Sequence, residues 1–140
     1  MTACSAACAL AFLLSATMIS LAEAQQTKVP DEPGTVTYHG SFEGGGVPRG
    51  PVGDLKIGPA HGTMSRVTIV AGSSGCGESV SGMASVQGDT LLLTKDDSGS
   101  ECRLTIHRTA DSATVKEDRC MALHGPSCDF GSTSPLRRVR

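Results

Sequence analysis

Tryptophan is absent from this 140-residue chain, tyrosine occurs once and phenylalanine three times. Readers of single-stranded nucleic acid stack bases on aromatic rings, so this scarcity argues against that mode of binding. An excess of one charge sign is missing too. Twelve Lys and Arg stand against 14 Asp and Glu, a formal net charge of −2. A nucleic-acid binder needs a basic face that releases counterions, and the balance offers none. Asparagine does not occur, so the chain has no N-glycosylation acceptor. Long apolar runs are lacking as well. The run Ala9–Leu14 falls far short of the roughly 20 residues that a bilayer span takes.

Residues 1–24 contain no Lys or Arg and one acid, Glu23. They lack the positive charges that usually precede an export segment. Ala22-Glu23-Ala24 nevertheless has the small-x-small form of a signal-peptidase site, and cleavage is expected before Gln25. What remains has the length of one domain. It keeps four of the six cysteines: Cys76, Cys102, Cys120 and Cys128. An even number of cysteines in a short exported chain predicts two disulfides and an oxidising compartment, here the bacterial periplasm. Three pairings are open. Cys76–Cys102 with Cys120–Cys128 is the favoured one, because the second pair closes a short Gly/Pro-containing loop. The first would close a loop of about 26 residues and stabilise by roughly 3 kcal/mol on the chain-entropy account.

Residues 25–34, with two prolines and three charges and no periodicity, read as a flexible lead-in. From residue 35 onward the apolar pattern has period two. Val36, Tyr38 and Phe42 alternate with polar neighbours, as do Leu55 and Ile57, then Val67, Ile69 and Ala71. Val80, Gly82 and Ala84 follow, then Leu91 and Leu93, Leu104 and Ile106, Ala113 and Val115. Such alternation marks strands with one wet face. Gly and Asp clusters separate the runs, and Gly88-Asp89 suits a two-residue hairpin. The expected fold is all-β: a small antiparallel up-and-down barrel of about seven or eight strands over residues 35–140, stapled by two disulfides. Thr109–Ser112 is the one candidate helical turn. Gly82 and Ala84 on an inward face point to a narrow interior with little room for a ligand.

Chemistry-bearing motifs are few. Gly72-Ser73-Ser74-Gly75 lacks the spacing and the helix of a nucleophile elbow. Gly44-Gly45-Gly46 lacks the Lys and helix of a phosphate-binding loop. Cys120-x3-His124-x3-Cys128 gathers two thiols and an imidazole, but not at structural-zinc spacing, and the thiols are expected to pair first. No catalytic residue, metal site or cofactor is therefore expected. Asp96, Asp97 and Glu101 cluster before Cys102 in a Ser/Gly-rich turn with Ser98 and Gly99. Their bland reading is a solvated loop, and their sharper one an anionic contact surface for a basic partner.

Ser81-Gly82 and the block Cys120–Gly131, set in an exported disulfide-bonded β pattern, resemble the periplasmic and membrane-bound inhibitors of C-type lysozyme. Those proteins carry Ser-Gly-x-x-Tyr on an active loop, and here Ser85 stands where the tyrosine belongs. The resemblance implies a β-barrel that plugs the cleft of a peptidoglycan hydrolase, lysozyme or lytic transglycosylase. It makes Ser81, Gly82, Asp96, Asp97, Ser98, Gly99 and Glu101 the candidate binding residues. C-type lysozymes are basic, so an acidic loop would speed encounter. The alternative is a periplasmic interaction barrel with another envelope partner.

Overall fold

The computed structural model describes residues 30–44, 50–73, 76–97, 99–126 and 128–140. The expected export segment 1–24, its boundary at Gln25, most of the lead-in and Ser98 lie outside these residues. Nine strands and one helical turn follow in chain order: β1 (Val36–Gly44), β2 (Val52–His61), β3 (Met64–Ser73), β4 (Cys76–Gln87), β5 (Thr90–Asp97), β6 (Ser100–Arg108), β7 (Ser112–Asp118), α1 (Met121–His124), β8 (Cys128–Ser132) and β9 (Leu136–Arg138).

Consecutive strands β1 to β7 pair antiparallel, and β9 closes the ring between β7 and β1. The result is a closed barrel of eight strands, with β8 as an additional strand on β1. Closure pairs each barrel strand with a neighbour on both sides for at least part of its length. β8 and β9 both run antiparallel to β1, one against its second half and the other against its first. Phe42 faces Ser132, and Tyr38 faces Arg138. They are in effect one last strand broken at residues 133–135.

The period-two pattern is realised as inward and outward faces. Leu55, Ile57, Val67, Ile69, Leu91, Leu93, Leu104, Ile106 and Leu136 are at most 1% exposed and pack with the aromatics into one cluster. Tyr38, Phe42 and Phe130 all belong to it. Gly40 lies on the same inward face of β1, where an added Cβ would strike Leu136 Cδ2 at 2.8 Å. A glycine there lets β9 dock closely enough to seal the barrel.

Two sequence expectations change. Thr109–Ser112 is a hairpin turn between β6 and β7, held by the Thr109 hydroxyl, which accepts the Ser112 N–H at 3.0 Å. The helical turn is Met121–His124 instead. The disulfides are Cys76–Cys128 and Cys102–Cys120. The pairing Cys76–Cys102 fails for a geometric reason: Cys76 opens β4, Cys102 lies on β6, and β5 stands between them. Two interstrand spacings are about 9–10 Å, beyond the roughly 7 Å that a disulfide bridges. Cys120 follows the end of β7, which pairs with β6 through Arg103 and Asp118, so it lands next to Cys102. Arg119 adopts a left-handed backbone (φ 58°) that turns the chain back toward that partner.

Candidate binding site

Alternation of the turns puts the ends of β3, β5 and β7 at one end of the barrel. Both disulfides lie there, and there the sheet is least regular. β4 and β5 pair only through Ser85–Leu92, Val86–Leu91 and Gln87–Thr90. Both strands continue beyond these pairs, β4 back to Cys76 and β5 on to Asp97, without pairing to one another. Their outer sides remain fully laddered, β4 to β3 and β5 to β6. A seam therefore opens in the wall.

Of the expected binding residues, Ser81 and Gly82 lie on one bank and Asp96 and Asp97 on the other, with Gly99 and Glu101 just beyond in the turn and on β6. Ser81 and Gly82 are in the middle of β4 rather than on a loop: Ser81 faces outward and is exposed, Gly82 faces inward. An added Cβ at Gly82 would meet Leu93 Cδ1 at 2.7 Å and Lys95 Cε at 3.3 Å. The missing side chain makes space for two β5 side chains that lean across the gap. Asp96 and Asp97 end β5, and Glu101 starts the return strand. Asp96 is directly opposite Glu101, and Asp97 opposite Ser100. Gly99 in the intervening turn has φ +86°, which suits glycine. Like charges directly opposite on a sheet oppose folding. Arg103 offsets this one by bonding Glu101 at 2.5 Å. The hairpin thus presents Asp96 and Glu101 together on its exposed face.

A second irregularity, between β7 and β8, holds residues that the sequence reading did not single out as a pair. Among the described residues no ladder joins these strands; side chains bridge them. The Val115 N–H donates to Ser132 Oγ (2.9 Å), and the Phe130 N–H donates to Glu117 Oε2 (2.7 Å). Glu117 Oε1 meets His124 Nε2 at 2.7 Å, and the imidazole stands edge-on to Phe130 with ring centroids 5.1 Å apart. A slit of about 290 Å³ beside them is lined by Glu43, Lys116, Asp129 and Gly131 among others. Burial holds the Glu117 carboxyl above the usual carboxylate range, with Asp129 acting in the same direction against the bonds from Phe130 and His124. Burial alone would lower the His124 pKa; its bonds to Glu117 and to the Gly125 carbonyl outweigh this and raise it above 6.5.

Chemically, this cluster is a brace. Both Glu117 oxygens are engaged within the fold, and the side chain is only 12% exposed. The signal that could have found it was the alternation itself: after Ala113 and Val115, Glu117 is the next inward position of β7. His124 was visible only as the centre of a cysteine-flanked motif. Its flanking cysteines belong to different disulfides, which dissolves that motif as a ligand set. Replacing Ser132 by alanine should cost about 1–3 kcal/mol, because it strands the Val115 N–H; urea unfolding measures this directly.

Fold and site together define a disulfide-stapled antiparallel β-barrel with a packed interior and a parted, acid-flanked wall. Among the described residues no helix is long and apolar enough to cross a membrane. The two disulfides accord with an oxidising compartment. No protein-family model, curated protein or solved structure matches the chain.

Proposed function

We propose that this chain is an exported bacterial binding protein of the periplasm, released by cleavage before Gln25, that inhibits a peptidoglycan hydrolase. It performs no catalysis of its own. The acidic β5–β6 hairpin enters the cleft of a basic lysozyme or lytic transglycosylase, and the rigid barrel behind it blocks the substrate. The observation that carries this reading is the cross-strand pair Asp96 and Glu101 at the exposed hairpin. Arg103 engages Glu101, and Asp96 faces solvent where a cationic partner can reach it. A negative patch on a rigid scaffold raises the encounter rate with a basic enzyme and selects against acidic ones. The packed interior supports surface binding over carriage of a small molecule, since the fully buried side chains already fill the space that a ligand would need.

The test is turbidity clearance of a peptidoglycan suspension by lysozyme or by an endogenous lytic transglycosylase. Residues 25–140 at micromolar concentration should slow clearance, and D96K/E101K should weaken the effect by about tenfold or more, equivalent to about 1.4 kcal/mol of binding. No slowing with any hydrolase class would refute the inhibitor reading and favour a different envelope partner.

A further inference from the structure

We propose that the parted edges of β4 and β5 accept an extended, basic segment of a partner protein as an added strand. This deepens the binding role proposed above by naming the surface and the conformation it captures. In an antiparallel sheet each strand directs backbone N–H and C=O groups to both sides. β4 satisfies its β3 side from Met64–Ser85 to Ser73–Cys76, and β5 satisfies its β6 side from Thr90–His107 to Asp97–Ser100. The facing sides beyond Ser85 and Leu92 carry no ladder. They form two strand edges pointed at one another, the arrangement that strand addition uses: main-chain bonds give affinity and alternate side chains give specificity.

Access and charge fit such an occupant. The outer surface of the seam carries Ser79, Ser81 and Thr94 together with Met83, all exposed. From the inside, Leu93 and Lys95 lean over Gly82 and close the gap toward the core. An incoming strand therefore meets backbone on its approach side, with the Leu93 side chain and the Lys95 stem behind. Residues 76–84 and 93–103 hold the acids Glu78, Asp96, Asp97 and Glu101 against the cations Lys95 and Arg103. Arg103 is engaged with Glu101, so Glu78 and Asp96 stand against Lys95 among the described side chains. What the seam offers a visitor is net negative charge, which selects Lys- or Arg-bearing segments.

The experiment uses residues 25–140 and a fluorescent nonapeptide alternating Lys with Thr and Val, read by anisotropy and by amide hydrogen exchange. The peptide should bind and slow exchange in 78–82 and 93–96. N-methylation of its alternate amides should weaken binding by about tenfold or more, because it removes donors that only a laddered strand needs. E78K/D96K, checked for fold by circular dichroism, should weaken it comparably. Equal binding of the N-methylated peptide, or no protection at the seam, overturns the proposal even if hydrolase inhibition is observed. Seam protection by the peptide without any hydrolase inhibition upholds the proposal and refutes the inhibitor reading alone.

Discussion

Replacing Glu117 by alanine is expected to lower the unfolding free energy by about 3–5 kcal/mol, the loss typical of breaking one half of a buried pair. The His124 side chain is 4% exposed and that of Glu117 12%, so water replaces the lost partner poorly. The substitution also strands the Phe130 N–H, which has Glu117 Oε2 as its acceptor. The pair has a definite protonation logic. His124 Nδ1 lies 2.6 Å from the Gly125 carbonyl, which can only accept, so Nδ1 carries a hydrogen. The 2.7 Å contact between Nε2 and Glu117 then requires one more proton, on the imidazole or on the carboxyl. Neutral His124 beside ionised Glu117 would set a lone pair against a carboxylate.

The sign of the pH dependence follows. His124 is raised above 6.5 in the fold, so its contribution is fully present below the unfolded value and is lost as pH rises through the folded one. Glu117 is raised above 4.5, so the fold favours its protonated form too, and its term also declines as pH rises. Stability should therefore fall as pH climbs above 6.5. Glu117→Gln should flatten that decline, because the amide donates to neutral His124 while its oxygen keeps the Phe130 N–H. Urea unfolding of both proteins between pH 6 and 9 measures it. A wild-type slope unchanged by Glu117→Gln would refute the shared-proton account.

Period-two alternation made the barrel legible because a closed sheet leaves each strand one wet face and one dry. The inward positions of β1 to β7 could be read directly, Tyr38 and Phe42 with them. The last strand could not. β8 and β9 are short and interrupted at residues 133–135, and Cys128-Asp129-Phe130-Gly131-Ser132 has too few apolar positions for its alternation to emerge. Disulfide pairing was illegible for a different reason: it depends on which strands are neighbours, and the intervening β5 separates two cysteines that are close in sequence. The seam depends on where a ladder stops. Nothing local in Cys76–Ala84 marks it except Gly82, which read as evidence of a narrow interior and whose vacancy is filled by Leu93 and Lys95.

Loss of the Cys76–Cys128 bridge is expected to have the other large effect, about 4 kcal/mol for a closed loop of this size on the chain-entropy account. Its cysteines are 52 residues apart, against 18 for Cys102–Cys120, whose removal should cost about 3 kcal/mol by the same reasoning. Alanine is the suitable replacement, since all four cysteines are buried. The local consequences differ as well. Cys102–Cys120 joins two strands already laddered to one another, β6 and the end of β7. Cys76–Cys128 ties the start of β4, one bank of the seam, to β8, which has a ladder only with β1 and reaches β7 through Ser132 and Glu117. C76A/C128A should therefore lower the thermal midpoint by roughly 15–25 °C in a domain of this size. It should also speed amide exchange in Cys128–Ser132 and at the seam before the rest of the barrel. C102A/C120A should shift the midpoint less and leave β8 protected. The opposite ranking would mean that local packing around Cys102, rather than loop closure and the tethering of β8, determines what the bridges contribute.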